Sequence, residues 1–220
     1  MESEVIFMES IKEVNVKTSD INTLKENSKR RFAKYQEPYV KETTWYTEEE
    51  FARDTVEFIG FNAIRPYACT DYYGLHSVIV HSPCSAVGSS AFKNCETLVS
   101  VKFPDTVTMF AEDVFAGCTS LTEIELPKNL ETMAGGDFIG CTGLSNIVIP
   151  ESVKDILNAT FKNCTGLKTV TFKGTPDSIF MDVFTGCTNL TTINVPWSEG
   201  EVANAPWGAT NATINYNHTV

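Results

Sequence analysis

Phe138-Ile139-Gly140-Cys141-Thr142-Gly143-Leu144-Ser145-Asn146-Ile147-Val148-Ile149-Pro150 decides the fold, because its pattern returns at one constant interval, the step from Phe138 to Phe161. Phe92, Phe115, Phe138, Phe161 and Phe184 share its first position. Cys95, Cys118, Cys141, Cys164 and Cys187 stand three residues later, and Leu98, Leu121, Leu144, Leu167 and Leu190 three further on. A β-branched residue then follows at Val101, Ile124, Ile147, Val170 and Ile193. The register holds without insertion, and self-similarity at a period of this length marks an array of stacked coils.

Within each coil, the run from Leu to the last apolar residue alternates near its end, as a half-buried strand does. Pro104, Pro127, Pro150 and Pro196 follow directly, where a missing N–H ends pairing without breaking a ladder. A second apolar pair (Val107 with Phe110, Leu130 with Met133, Val153 with Ile156, Pro176 with Ile179) predicts another short extended segment on the opposite side. One coil cannot enclose its own apolar side chains, so neighbours must stack about 4.7–4.9 Å apart where strands pair. Phe92, Phe115, Phe138, Phe161 and Phe184 are then a structural spine, and Trp207 continues the same spacing.

The pattern weakens at both ends. Backwards, Leu75, Val78 and Val80 fill strand slots, Cys69 and Tyr72 replace Phe and Cys, and Phe61 and Ile64 are the last fits. Forwards, Thr213 and Tyr216 fall on the strand slots while the apolar residues shift to Ile214 and Tyr216. We therefore expect an N-terminal arm over residues 1–60, a solenoid over 61–196 and a C-terminal cap over 197–220, whose polar outer face protects the last edge.

A formal charge of -11 with scattered Lys and Arg argues against a nucleic-acid or anionic-membrane partner, because both need clustered positive charge. No run approaches the roughly 18 apolar residues of a transmembrane helix, so no membrane insertion is expected. Met1 to Phe7 lacks a basic region ahead of a long apolar stretch, so synthesis in a cytoplasm is expected unless a signal lay on a longer precursor. Five of the seven cysteines occupy one slot, which reads as a ladder of buried free thiols. Cysteines so far apart in sequence, without nearby His, make a poor zinc pattern, and no metal or cofactor is expected. His76, His81 and His218 have no partner spacing that implies a triad. Glu48 to Glu50, Glu123 with Glu125, and Asp177 with Asp182 read as solvated carboxylates, and no phosphate loop appears. The chain is expected not to be an enzyme.

Outward strand positions form two rows. Ser77, Ser100, Glu123, Asn146, Thr169 and Thr192 make one; Ile79, Lys102, Glu125, Val148, Thr171 and Asn194 the other. Short hydroxyl and amide groups suit glycans or polar protein surfaces, although a merely solvated face would carry the same residues. The N-terminal segment differs in kind: an apolar and acidic stretch with Val5, Ile6, Phe7 and Ile11, a candidate helix over Ile21 to Tyr35 containing Arg30 and Arg31, and Trp45-Tyr46. We expect it to anchor the chain in an assembly, and expect a homo-oligomer.

The pattern F-x-(N/G)-C-x-x-L-x-x-(V/I)-x-(F/I/L)-P resembles the BspA-like leucine-rich repeats of bacterial surface proteins, over about residues 64–196. The resemblance implies a β-rich solenoid, a right-handed superhelix of 23-residue coils with a parallel sheet. Cys69, Tyr72 and Lys173 depart from the pattern. The ending, Val195-Pro196-Trp197 through Pro206-Trp207-Gly208 to Ile214-Asn215-Tyr216, is similar to the C-terminal module of repeat proteins of bacteriophages and prophages of gut bacteria. That likeness implies a virion component, a head or tail fibre, decoration or baseplate protein, held by its arm to other virion proteins and displaying the solenoid to host-surface protein or glycan. A bacterial cell-surface adhesin, or a carbohydrate- or protein-recognition module, is the alternative.

Overall fold

The structure, a computed structural model, describes residues 54–219. The arm, with Val5, Ile6, Phe7, Ile11, Arg30, Arg31, Trp45, Tyr46 and the helix expected over Ile21 to Tyr35, lies outside the described residues. Short strands follow in order: β1 (Asp54–Phe58), β2 (Ala63–Ile64), β3 (Leu75–Val80), β4 (Ala86–Val87), β5 (Ser100–Lys102), β6 (Met109–Phe110), β7 (Thr132–Met133), β8 (Asn146–Ile149), β9 (Asp155–Ile156), β10 (Thr169–Phe172), β11 (Ser178–Ile179), β12 (Thr192–Asn194) and β13 (Thr213–Asn215). Among the described residues there is no helix. All strand pairing among the described residues is parallel, and successive coils lie one on another as a β-solenoid of about seven coils.

Two walls of the coil are sheets. The short strands β2, β4, β6, β7, β9 and β11 form a continuous six-stranded sheet. The longer strands form a broken wall, β1-β3-β5 and then β8-β10-β12-β13. The coil between them, residues 121–126, lacks the strand expected there. Ile124 and Leu126 are still buried and the Ser145 N–H donates to Thr122 O at 3.2 Å, so side-chain packing and isolated hydrogen bonds hold this stretch in line, while β7 pairs on the opposite wall.

The Phe corner is the third wall. There the Phe92 N–H donates to Val114 O at 2.9 Å, Phe115 to Asp137 O at 2.7 Å, Phe138 to Thr160 O at 2.8 Å and Phe161 to Val183 O at 3.0 Å. Inside it, the rings of Phe92, Phe115, Phe138, Phe161 and Phe184 stack with centroids 5.3 to 5.6 Å apart. All five are fully buried. Phe58 closes the lower end edge-on, 5.9 Å from Phe92. At the upper end Trp207 is boxed by Trp197 and Phe172, and its Nε1 donates to Ala203 O at 2.7 Å.

The corner also explains two letters of the repeat. Asn94, Gly117, Gly140, Asn163 and Gly186, two residues after each Phe, all have positive φ, from 57° to 80°. Asn and Gly are the residues that enter the left-handed region most easily, hence the N/G slot. The next residue is Cys, and each thiol donates to a carbonyl one coil below: Cys118 Sγ to Phe92 O at 3.1 Å, Cys141 to Phe115 O at 3.1 Å, Cys164 to Phe138 O at 3.0 Å and Cys187 to Phe161 O at 2.9 Å. The Phe92 carbonyl also accepts the Cys95 N–H, so a small buried donor satisfies its second lone pair.

Burial pushes the Cys95 and Cys141 thiols up to about 12 and also raises Cys118. Cys187 moves the other way, lowered by a hydrogen bond with Cys164. Thiolate is the reactive form, so iodoacetamide at pH 8 should leave Cys95, Cys118 and Cys141 unlabelled in the folded protein and label Cys187 before them. Peptide mapping that finds Cys118 or Cys141 modified ahead of Cys187 would overturn this reading.

Both ends differ from the sequence expectation. Residues 54–58, assigned there to the arm, add a strand to the solenoid: Val56 faces Val78 and Phe58 faces Val80, a step one residue shorter than the repeat, and both are buried. At the other end Thr192 faces Thr213 and Ile193 faces Ile214, a step two residues shorter than the repeat. Ile214, not Tyr216, therefore takes the inward slot of Ile193. The two-residue side-chain period forces this, since the strict spacing would put Thr213 in a Leu slot.

Candidate binding surface

The outward strand positions come together in two groups. On β8, β10, β12 and β13, Asn146, Thr169, Thr192 and Thr213 form one row and Val148, Thr171, Asn194 and Asn215 the other, each residue opposite the next. On β3 and β5, Ser77 faces Ser100 and Ile79 faces Lys102. β1 extends these rows with Thr55 and Glu57. Glu123 and Glu125 stand exposed on the strandless coil between the groups, so no single sheet carries all the expected positions.

The upper group is ordered by its own hydrogen bonds. Asn215 Nδ2 donates to Asn194 Oδ1 at 2.8 Å, and Asn194 Nδ2 donates to Thr171 Oγ1 at 3.2 Å. Side chains fixed this way lose less rotamer freedom when a ligand is bound than free ones would. Val148, 44% exposed, adds one apolar group beside them. The surface thus offers hydroxyls, amide donors and acceptors, and no cation between Asn146 and Asn215 on the two rows.

Thr213, Asn215, Thr55 and Glu57 were missed by sequence reasoning. The signal was present for the first pair: Thr192-Ile193-Asn194 recurs unchanged as Thr213-Ile214-Asn215, but off the spacing of the repeat. For the second pair it was the alternation Thr55-Val56-Glu57-Phe58.

Among the described residues no three His, Cys, Asp or Glu side chains are grouped as a metal would need. No helix among them is long and apolar enough to cross a membrane. The recess with a volume of about 500 Å³ lies at the cap, between Glu199 to Pro206 and the side chains of Ile214 and Tyr216.

The BspA type leucine rich repeat region family matches residues 62–191, in six copies. No curated protein matches the chain. Among solved structures it is similar to the T. pallidum leucine rich repeat protein, with 23% identity and a TM-score of 0.57 over 70% of this chain and 81% of that one. A leucine-rich repeat protein from Bacteroides ovatus shows 25% identity and a TM-score of 0.56, over 72% of this chain and 47% of that one. A leucine rich cell surface protein from Faecalibacterium prausnitzii shows 32% identity and a TM-score of 0.52, over 56% of this chain and 33% of that one. The chain spans less than half the length of these last two proteins.

Proposed function

Because the chain belongs to the BspA type leucine-rich repeat family, we propose that it is a non-enzymatic adhesion protein whose solenoid binds host-surface protein or glycan through β8, β10, β12 and β13. The observation that carries this reading is the hydrogen-bonded row Thr171, Asn194 and Asn215. It presents regularly spaced amide and hydroxyl groups, the chemistry that pairs with sugar hydroxyls or a polar protein surface.

The site of display is the virion of a bacteriophage, with the N-terminal segment joining other virion proteins. The sequence likeness of residues 195–216 to phage repeat proteins supports this placement. A second reading is display on a bacterial cell surface, favoured by the 32% identity to the F. prausnitzii cell surface protein. Immunogold labelling separates them, because the first requires label on purified particles and the second on the cell envelope.

Replacing Thr171 and Asn194 together by Arg tests the face. Outward surface changes alter stability little, within about 0.5 kcal/mol. Binding to glycan arrays or host envelope should fall at least about tenfold, roughly 1.4 kcal/mol. Unchanged binding by a folded double variant would remove this face from the function.

A further inference from the structure

Among the described residues β13 is one of the strands that end a sheet, and it closes the C-terminal end of the long-strand wall. In a parallel ladder alternate residues of a strand bond to opposite neighbours. The Thr213 N–H donates to Thr191 O at 2.8 Å and Asn215 O accepts the Val195 N–H at 3.0 Å, so these two residues use their backbone groups on β12. The backbone N–H and C=O of Ile214 then face the other way, where no strand among the described residues pairs. The same edge is short of apolar cover. Ile193 and Val195 are fully buried, whereas their counterparts Ile214 and Tyr216 are only half-buried. Beside them opens the recess lined by Val202, Ala203 and Pro206.

The charge here is one-sided. From Gly174 to Val220 the chain has Asp177, Asp182, Glu199 and Glu201 and not one Lys or Arg. Glu199 lines the recess, and Glu201 is exposed nearby. The densest cationic run of the same sequence is Lys29-Arg30-Arg31-Phe32-Ala33-Lys34-Tyr35, which sets four cations among two aromatic residues. It carries both features the edge lacks, positive charge and large apolar side chains.

We propose that residues 29–35 of this chain dock as an added strand on the free edge of β13, with an aromatic side chain in the recess and cations against Glu199 and Glu201. Strand addition uses the main-chain groups of Ile214 for affinity and the recess for side-chain selection. The helix expected over Ile21 to Tyr35 then stops short of Lys29.

The test uses the full chain. Hydrogen exchange should find the Ile214 amide protected, and the variant Arg30→Glu with Arg31→Glu should lose that protection at least about tenfold while the amides of Val170 and Ile193 stay unchanged. A zero-length carbodiimide should join Lys29 or Lys34 to Glu199 or Glu201 within one copy; mixing isotope-labelled and unlabelled copies tests this, and cross-links found only between copies overturn the proposal. An Ile214 amide that exchanges freely in the unaltered chain overturns the proposal, as does cross-linking of those lysines only elsewhere. If Ile214 protection survives the charge reversal, something other than this segment covers the edge and the proposal is also wrong.

Discussion

Phe138→Ala is expected to destabilise the solenoid by about 3–5 kcal/mol, the usual cost of emptying a well-packed aromatic site. Phe138 is fully buried and stacks at 5.3 Å on both Phe115 and Phe161, with interplanar angles of 19° and 8°. Truncation removes both ring contacts at once and opens a void that the neighbouring coils cannot close. Their spacing is fixed by the corner hydrogen bonds on either side, Phe115 N–H to Asp137 O and Phe138 N–H to Thr160 O. Because each coil is stabilised by its neighbours, a break in the middle uncouples the two halves of the stack. Urea denaturation should therefore lose stability and cooperativity together. Phe180→Ala is the control: that ring is 45% exposed, and its loss should change little, within about 0.5 kcal/mol. Equal effects of the two substitutions would refute the spine.

The second large effect is one of pH. Asp137 occupies the slot before Phe138, which holds Ala91, Val114, Thr160 and Val183 in other coils, and it is the one ionisable residue there and completely buried. Its Oδ1 accepts the Val114 N–H at 3.4 Å, while Oδ2 has no partner. Burial raises its pKa well above the ordinary carboxyl value; the Val114 bond opposes this, and the negative charges of Asp113 and Glu112 add to it. The Lys93 ammonium is engaged with Asp113 at 2.7 Å. The folded protein thus keeps a proton on Asp137 where the unfolded chain has released it.

The sign follows from linkage. Below the unfolded carboxyl pKa of about 3.9 both states are protonated and nothing is lost. Above it, ionisation favours the unfolded chain, and stability falls by about 1.4 kcal/mol per pH unit until the raised folded value is reached. Asp137→Asn does not titrate. Its stability curve should separate from the parent curve as pH rises above about 4, with the variant gaining until the folded carboxyl itself ionises. Parallel curves across that range would mean that Asp137 is ionised in the fold or that a solvent partner satisfies it.

Most of the array was legible because its physics is local and repeated. A Phe at constant spacing needs a constant neighbour, and the Pro after each strand ends pairing without cost. The arrangement that can meet both demands in every coil is a stack. Cysteine in the same slot was legible as a small buried group. Its role as a donor to the Phe carbonyl below was not, since that bond spans 26 residues. The ends were read less well because their steps, Val56 to Val78 and Ile193 to Ile214, fall short of the repeat. There the side-chain alternation of Thr55 to Phe58 and of Thr213 to Tyr216 carries the register, and the spacing does not.

By itself, then, the sequence determined the period, the inward ladders and the identity of most outward residues, since each follows from the apolar pattern of a single coil. Only the tertiary structure decided where the long-strand wall breaks at Glu123 and Glu125, which amides lock together at Asn194 and Asn215, that Asp137 has an oxygen without a partner, and that the edge of β13 is open. Those four depend on what one coil meets in the next, a distance that no pattern within a coil encodes.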